Sequence, residues 1–209
     1  MRNRALFGSA MVLAALLAVA GGVGAAVLLQ RPPGSHVTAV IAGVPRARPA
    51  VPGPDQGKYR VVNDLCGEAD FTELRPTFDS IGDLRSDWDN SAGTFVLADC
   101  DGSTGNATVQ GSFSFQATVY RDPDANRAEF TARRERTQAR EPTTTVAGLG
   151  AGAYTYVEPG LGTTVITYDA NITLRLTWLS TDPKVPAPAG TVTALVNTCT
   201  STLLVLRAS

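Results

Sequence analysis

The stretch from Ala5 to Leu29 contains 25 consecutive residues without a charged side chain. A run longer than roughly 18 apolar residues can span a bilayer as a helix, because a helix satisfies its own backbone hydrogen bonds. The alternative is a cleaved secretory signal, for which Ala18-Val19-Ala20 offers an A-x-A cleavage site. The run continues for nine residues beyond that site. This length favours an uncleaved transmembrane helix at residues 5–29.

The flanking arginines predict how this helix is oriented. Arg2 and Arg4 lie in the four-residue tail that precedes it, and Arg31 follows it. Positive residues favour the cytoplasmic side, although here the bias is modest. This bias, combined with the shortness of the N-terminal tail and the character of the downstream segment, predicts that the tail at residues 1–4 is cytoplasmic. The expected location is therefore a single-pass protein of the plasma membrane, with its C-terminal domain outside.

Residues 30–57 have the composition of a spacer. They include six of the 13 prolines and the only histidine, His36. Dense proline without apolar periodicity predicts an extended, semi-rigid segment. We expect this Pro-rich extracytoplasmic spacer to carry a folded domain at residues 58–209.

The folded part shows the periodicities of both strands and helices. Residues 107–120 alternate apolar and polar side chains, which predicts a half-buried strand. Asp122-Pro123 is a typical helix start, and the helix should reach about Arg140. Three further strands are predicted at 144–157, 162–168 and 172–179, and short helices or helical stripes at 70–76 and 190–207. This order predicts an α+β domain in which helices cover an antiparallel sheet.

The sequence ADCDGS around Cys100 is open to three chemical interpretations. A calcium loop beginning at Asp99 would need glycine at its sixth position, but Gly102 stands at the fourth. Zinc would need a closely spaced ligand pair, which three scattered cysteines do not supply. A catalytic thiol would need a base, and Asp99 and Asp101 would raise the pKa of the thiol. We therefore expect no metal, no cofactor and no catalytic residue here.

A disulfide is the remaining interpretation, and an extracytoplasmic domain permits it. Pairing Cys66 with Cys100 would close a loop across a polar segment, residues 64–101, which holds ten acidic residues and two arginines. The chain-entropy estimate gives such a bond about 3–4 kcal/mol. Cys199 is then a buried free cysteine on the last helix. Two alternatives stay open, namely that Cys199 pairs with Cys66 or with another chain.

The motifs NDLCGEADFTELRP, a second cysteine and VAGLGAGAY together resemble a known family. It comprises actinobacterial exported or membrane-anchored lipoprotein-like domains of unknown function. The resemblance covers about residues 58–207 and maps onto Cys66, Cys100 and 149–153. It implies a small α+β sandwich similar to the PsbP-like fold at the cell envelope, and it implies no reaction.

These observations predict a non-enzymatic domain that binds a protein or ligand at the envelope. The formal net charge of −1 gives no electrostatic support for nucleic acid binding. A hydrolase using the carboxylates of Asp87 and Asp89 is one alternative, and a regulatory accessory of another membrane protein is a second. The arginines of residues 132–140 either stabilise a helix end or form a face for an anionic partner.

Overall fold

A computed structural model describes residues 58–90, 93–158 and 162–208. The predicted tail (1–4), transmembrane helix (5–29) and spacer (30–57) lie outside the described residues. Among the residues that are described, no helix is both long enough and apolar enough to cross a membrane.

Within the described ranges the chain forms seven strands, three α-helices and one 3-10 helix. The strands are β1 (Ser80–Asp89), β2 (Phe95–Gly105), β3 (Gln110–Tyr120), β4 (Thr143–Thr145), β5 (Gly152–Glu158), β6 (Gly162–Asp169) and β7 (Ile172–Ser180). The helices are α1 (Leu65–Glu68), α2 (Pro123–Gln138) and α3 (Thr191–Val205), and the 3-10 helix is Phe71–Leu74. The strands form one antiparallel sheet in the order β1-β2-β3-β7-β6-β5-β4. The predicted α+β class with an antiparallel sheet is confirmed.

One face of the sheet, here called the packed face, carries the main core. The alternation in β3 buries Phe113 and Phe115, and their partners in register on β7 are Trp178 and Leu176. The 3-10 helix lies on these residues, with the ring of Phe71 centred 5.0 Å from that of Phe113. Because successive strand side chains point to opposite faces, the polar members of the same alternation occupy the other face.

Helix α3 also packs on this core, but its buried stripe differs from the predicted one. The predicted stripe was Val192, Leu195, Val196, Cys199, Leu203 and Leu206. Val192 is instead 39% exposed, so its assignment to the core was wrong. Threonines share the buried side, because their hydroxyls can bond to the helix backbone: Thr198 Oγ1 donates to the Ala194 carbonyl at 2.9 Å. A threonine whose hydroxyl is bonded in this way can lie in the core, at a position that hydrophobicity alone would not assign to the core.

The polar segment at residues 64–101, which we expected to have few apolar residues to hold it, contains most of a β-hairpin. Strands β1 and β2 pair along nearly their whole length. The packed side of β2 carries Ala98, Cys100, Gly102 and Thr104, all of them buried. These side chains are small or polar, so the buried residues of β2 differ little in hydrophobicity from the residues that alternate with them. Asp87 and Asp89 therefore lie on a strand, and the expectation from sequence that they lie in a loop is wrong.

The predicted disulfide between Cys66 and Cys100 is present, with Cα atoms 5.1 Å apart and a sequence separation of 34. It joins helix α1 to the packed side of β2. We expected Cys66 to precede the first helix. Helix α1 instead begins at Leu65, so Cys66 lies inside it. Cys199 is free and buried, as predicted, and burial raises the pKa of its thiol. The bond between Cys66 and Cys100 removes the alternative in which Cys199 pairs with Cys66.

The outer strand β1 is irregular near its start. Its register with β2 shifts between Gly82 and Arg85, which marks a β-bulge. Asp83 lies within this bulge with a φ of 53°, and its carboxylate accepts a hydrogen bond of 2.9 Å from Ser103 Oγ. A short polar side chain tolerates this left-handed conformation better than most residues, particularly when it is bonded locally.

Candidate functional site

The face of the sheet opposite the main core, here called the open face, is covered only in part by α2. The ring of Phe130 lies 5.5 Å from the ring of Tyr154 and 4.4 Å from that of Tyr168. Ile166 completes this second, smaller core. Phe130 therefore packs α2 onto strands β5 and β6, and the helix also lies near β3 and β7.

A buried asparagine fixes the start of α2 to the sheet. The Asn126 amide donates to the carbonyls of Ala170 and Ile172 at 2.8 and 2.9 Å. Its oxygen accepts a hydrogen bond of 2.6 Å from Thr173 Oγ1. A buried amide with its partners satisfied in this way is a rigid attachment, so the C-terminal half of α2 is held at a defined position above the open face.

Between this half of α2 and the open face lies a depression, here called the arginine groove. It consists of three adjoining hollows of about 230, 340 and 250 Å³. The first two share Gln116 and Arg175, and the second and third share Arg133, Arg136 and Tyr156. Because they have walls in common, the hollows form one continuous surface. Arg140, Glu141 and Glu158 complete its charged residues.

Helix α2 and the turn after it supply three arginines. Arg133 and Arg136 are three residues apart, which places them on one face of α2, and Arg140 lies just beyond the helix end at Gln138. Glu129 serves two of them: its Oε1 lies 3.6 Å from Arg133 Nη2 and 2.8 Å from Arg136 Nη2. One carboxylate for two guanidinium groups leaves an excess of positive charge on this side of the groove.

Arg175 contributes a fourth guanidinium from the floor of the groove. It stands on β7 in register with Gln116 of β3 and Ile166 of β6. Its Nε is buried and has no hydrogen-bond partner among the described residues, and none of the described carboxylates lies within 4.0 Å of the guanidinium. A buried donor without a partner is costly, typically about 1–3 kcal/mol. Such a group is a candidate for contact with a ligand.

Two of these arginines influence the pKa of the neighbouring Tyr154. Burial raises the pKa of Tyr154, while the positive charges of Arg133 and Arg175 act in the opposite direction. Arg134 lies over the Tyr154 ring at 5.9 Å from its centre and donates to Thr145 Oγ1 at 2.9 Å. Arg134 is thus engaged with the β4–β5 hairpin, in contrast to the other arginines of α2.

Beside Arg175 runs a line of hydroxyl side chains, here called the hydroxyl row. It comprises Ser114, Thr177, Thr164 and Tyr156, which are in register across four neighbouring strands. The hydroxyls of Thr164 and Thr177 lie 3.0 Å apart. Since all four residues line the groove, its floor offers both positive charge and hydroxyl groups.

The structure places the residues singled out from the sequence in three settings. Cys100 is in the disulfide, so ADCDGS holds no thiolate. Asp99 lies on the open face, where it accepts a hydrogen bond of 2.9 Å from Gln116 Nε2. Asp87 and Asp89 are exposed on strand β1, and the Asp87 carboxylate accepts from the backbone of Trp88 at 2.8 Å.

Three groove residues, Arg175, Tyr156 and Gln116, were not identified from the sequence. A signal existed for Arg175, because it is the single charged residue in the alternation Ile172-Thr-Leu-Arg-Leu-Thr-Trp178. Arg175 lies between Leu174 and Leu176 in sequence, so its side chain is on the face of the strand that those two leucines do not occupy. The assembly of four arginines could not be read from this, since it depends on where α2 crosses the sheet.

Comparisons of the chain with protein-family models, with curated proteins and with solved structures found no match.

Proposed function

We propose that this protein is a membrane-anchored, non-enzymatic domain of the cell envelope that binds an anionic ligand in its arginine groove. The anchor and the outside location follow from the predicted helix at 5–29 and spacer at 30–57. The Cys66–Cys100 disulfide supports this location, because such bonds persist mainly in oxidising compartments. The family resemblance at Cys66, Cys100 and 149–153 points the same way.

The observation that carries the proposal is the unpaired guanidinium of Arg175. It shares the groove with Arg133, Arg136 and Arg140, while the groove's carboxylates are Glu141 and Glu158. An arginine fork matches the planar geometry of a carboxylate or the oxygens of a phosphate and can bind either with two parallel hydrogen bonds. Binding of an anion would supply the missing partner and offset the repulsion between the arginines.

The hydrolase alternative finds less support than binding. A pair of carboxylates acting as acid and base has to flank the reacting atoms at a fixed geometry. Asp87 and Asp89 are exposed side chains on the outer strand β1. The groove, by contrast, concentrates permanently charged groups, which bind and orient anions without exchanging protons near neutral pH.

The test is isothermal titration calorimetry at low ionic strength, in which inorganic phosphate is titrated into the full-length protein in detergent. We expect saturable binding, and we expect Arg175→Met to weaken it by about tenfold or more, since one charge-assisted hydrogen bond is worth about 1.5–3 kcal/mol. Arg75→Met is the matched control: it removes the same charge from an exposed residue beside the 3-10 helix and should change the affinity less than twofold.

Two results would contradict the proposal. One is wild-type protein that gives no saturable response to phosphate. The other is an equal loss of affinity in Arg75→Met and Arg175→Met, because that would make the response an effect of net charge. Arg175→Lys separates the fork from the charge, and it should retain only part of the affinity.

A further inference from the structure

We infer that the anion bound in the arginine groove belongs to an acidic saccharide, whose sugar hydroxyls are held by the hydroxyl row. The shared chemistry is a carboxylate or phosphate group attached to a polyhydroxylated ring. This inference rests on the proposed anion-binding function and specifies the ligand class of the same site.

The first argument is the dimensions of the site. The hydroxyl row crosses β3, β7, β6 and β5, and neighbouring strands lie about 4.8 Å apart, so the row extends for roughly 14 Å. Arg175 precedes Thr177 by two residues on the same strand, a distance of roughly 7 Å along it. The site is therefore longer than an inorganic ion requires, and its charged and hydroxyl parts lie side by side.

The second argument is the hydrogen-bonding capacity of the floor. Each hydroxyl has one donor and two acceptor positions. Thr164 and Thr177 use one proton between them in their 3.0 Å contact, so one proton and further acceptor positions remain. Gln116 donates through Nε2 to Asp99, which leaves its amide oxygen as an acceptor. Mixed donors and acceptors of this kind match sugar hydroxyls, which also donate and accept.

The third argument is the character of the walls. Tyr156 is half-buried, and its ring lies 6.2 Å from the ring of Tyr154 at an interplanar angle of 26°. A tyrosine offers an apolar ring face and a polar tip together, which suits the mixed surface of a sugar ring. An anionic lipid would need a continuous apolar lining for its chains, whereas every lining residue of the three hollows except Leu179 and Ile166 carries a hydroxyl, amide or charged group.

The experiment titrates full-length protein with four probes: trigalacturonic acid, glucose 6-phosphate, neutral maltotriose and inorganic phosphate. We expect one of the two acidic saccharides to bind at least tenfold more tightly than inorganic phosphate, and maltotriose to bind at least tenfold more weakly than that saccharide. A preference for trigalacturonic acid would identify a carboxylate source, and a preference for glucose 6-phosphate a phosphate source.

The variant that tests the hydroxyl row is Thr164→Val/Thr177→Val, which removes both partners of the buried contact while keeping the side-chain shape. It should lower the affinity for the preferred saccharide at least tenfold more than it lowers the affinity for phosphate, so that the preference for the saccharide is lost. Thr144→Val, an exposed strand threonine on the packed side of β4, is the control. Ser114→Ala provides a second, milder variant if the double variant does not fold.

The outcomes separate this inference from the proposed function. Acidic saccharides that bind no tighter than phosphate, or valine variants that leave the preference intact, would overturn the saccharide assignment while phosphate binding still supports the anion site. Absence of binding by every probe would overturn both.

Discussion

The phenol of Tyr59 donates a hydrogen bond of 2.5 Å to the carboxylate of Asp169, 110 residues further along the chain. Lys58 Nζ donates to the same oxygen, also at 2.5 Å. Next to them the side chain of Asn171 bonds to both the N–H and the carbonyl of Tyr59, each at 2.9 Å. The first described residues of the domain are thus fastened to the turn between β6 and β7.

This contact predicts a dependence of stability on pH. Burial on its own raises the pKa of Asp169, but the hydrogen bonds from Lys58 and Tyr59 outweigh it, so the pKa lies below its ordinary value. A carboxyl group with a lowered pKa in the folded state stabilises the fold above its unfolded pKa, and this contribution is lost as the pH falls below about 4. Asp169→Asn should therefore cost about 1–2 kcal/mol at pH 7. Urea unfolding from pH 7 to pH 2 should show the difference from wild type shrinking below about pH 4, and a constant difference would contradict the assignment.

The disulfide predicts a second measurable loss of stability. Removing a crosslink that spans 34 residues should cost about 4 kcal/mol on the chain-entropy estimate. Cys66→Ala/Cys100→Ala should thus unfold at lower urea concentration than wild type, and addition of a reductant should move wild type toward the variant. Cys199→Ala is the control: it keeps the disulfide, so reductant should destabilise it as it does wild type, whereas the double variant should not respond to reductant. Non-reducing mass spectrometry that finds a free thiol at Cys100 in exported protein would contradict the pairing.

Two glycines with positive φ predict contrasting effects of the same substitution. Gly148 has a φ of 78°, and an added Cβ would have no neighbour within 4 Å, so Gly148→Ala should cost only the conformational strain of about 1–2 kcal/mol. Gly162 has a φ of 101°, and a Cβ there would overlap the carbonyl oxygen of Trp178 on the neighbouring strand. Gly162→Ala should cost about 1–3 kcal/mol more than the strain alone. Chemical denaturation of the two variants in parallel measures the difference, and equal losses would contradict it.

Phe130 predicts a link between the second core and the groove. Its side chain is 5% exposed and holds α2 against Tyr154 and Tyr168. Phe130→Ala should lower the free energy of unfolding by about 3–5 kcal/mol. It should also weaken phosphate binding, because α2 carries Arg133 and Arg136. Phe130→Leu should keep most of both properties, and full phosphate affinity in folded Phe130→Ala would contradict the positioning role of the helix.

Much of the fold could be predicted because its strongest patterns are local. The alternation in β3 and the Asp122-Pro123 start of α2 are encoded within a few residues, and both elements form where expected. The buried positions of β2 are small or polar, so Cys100 and Gly102 could not be recognised as core from hydrophobicity. Their burial depends on α1, which is bonded to Cys100, and on Phe113 of β3, which lies against Gly102. Both contacts come from other parts of the chain.

The arginine groove was predictable only in part. The arginines of α2 were noted as a candidate face for an anion, with stabilisation of the helix end as the competing explanation. What the sequence could not provide is the position of Arg175 opposite that face. This depends on Asn126, which attaches the helix to β7 and the turn before it, on Phe130, which packs against β5 and β6, and on the strand order that brings β7 next to β3.

The β-bulge at Gly82–Arg85 has a consequence for association between copies of the protein. An outer strand with regular free backbone groups invites another sheet to pair with it and begins aggregation. Strand β1 breaks that regularity at Asp83, and charged side chains follow at Arg85 and Asp87. A second β1 would have to match this irregular backbone in order to pair with it. We therefore expect the bulge to oppose edge-to-edge pairing between the sheets of neighbouring molecules.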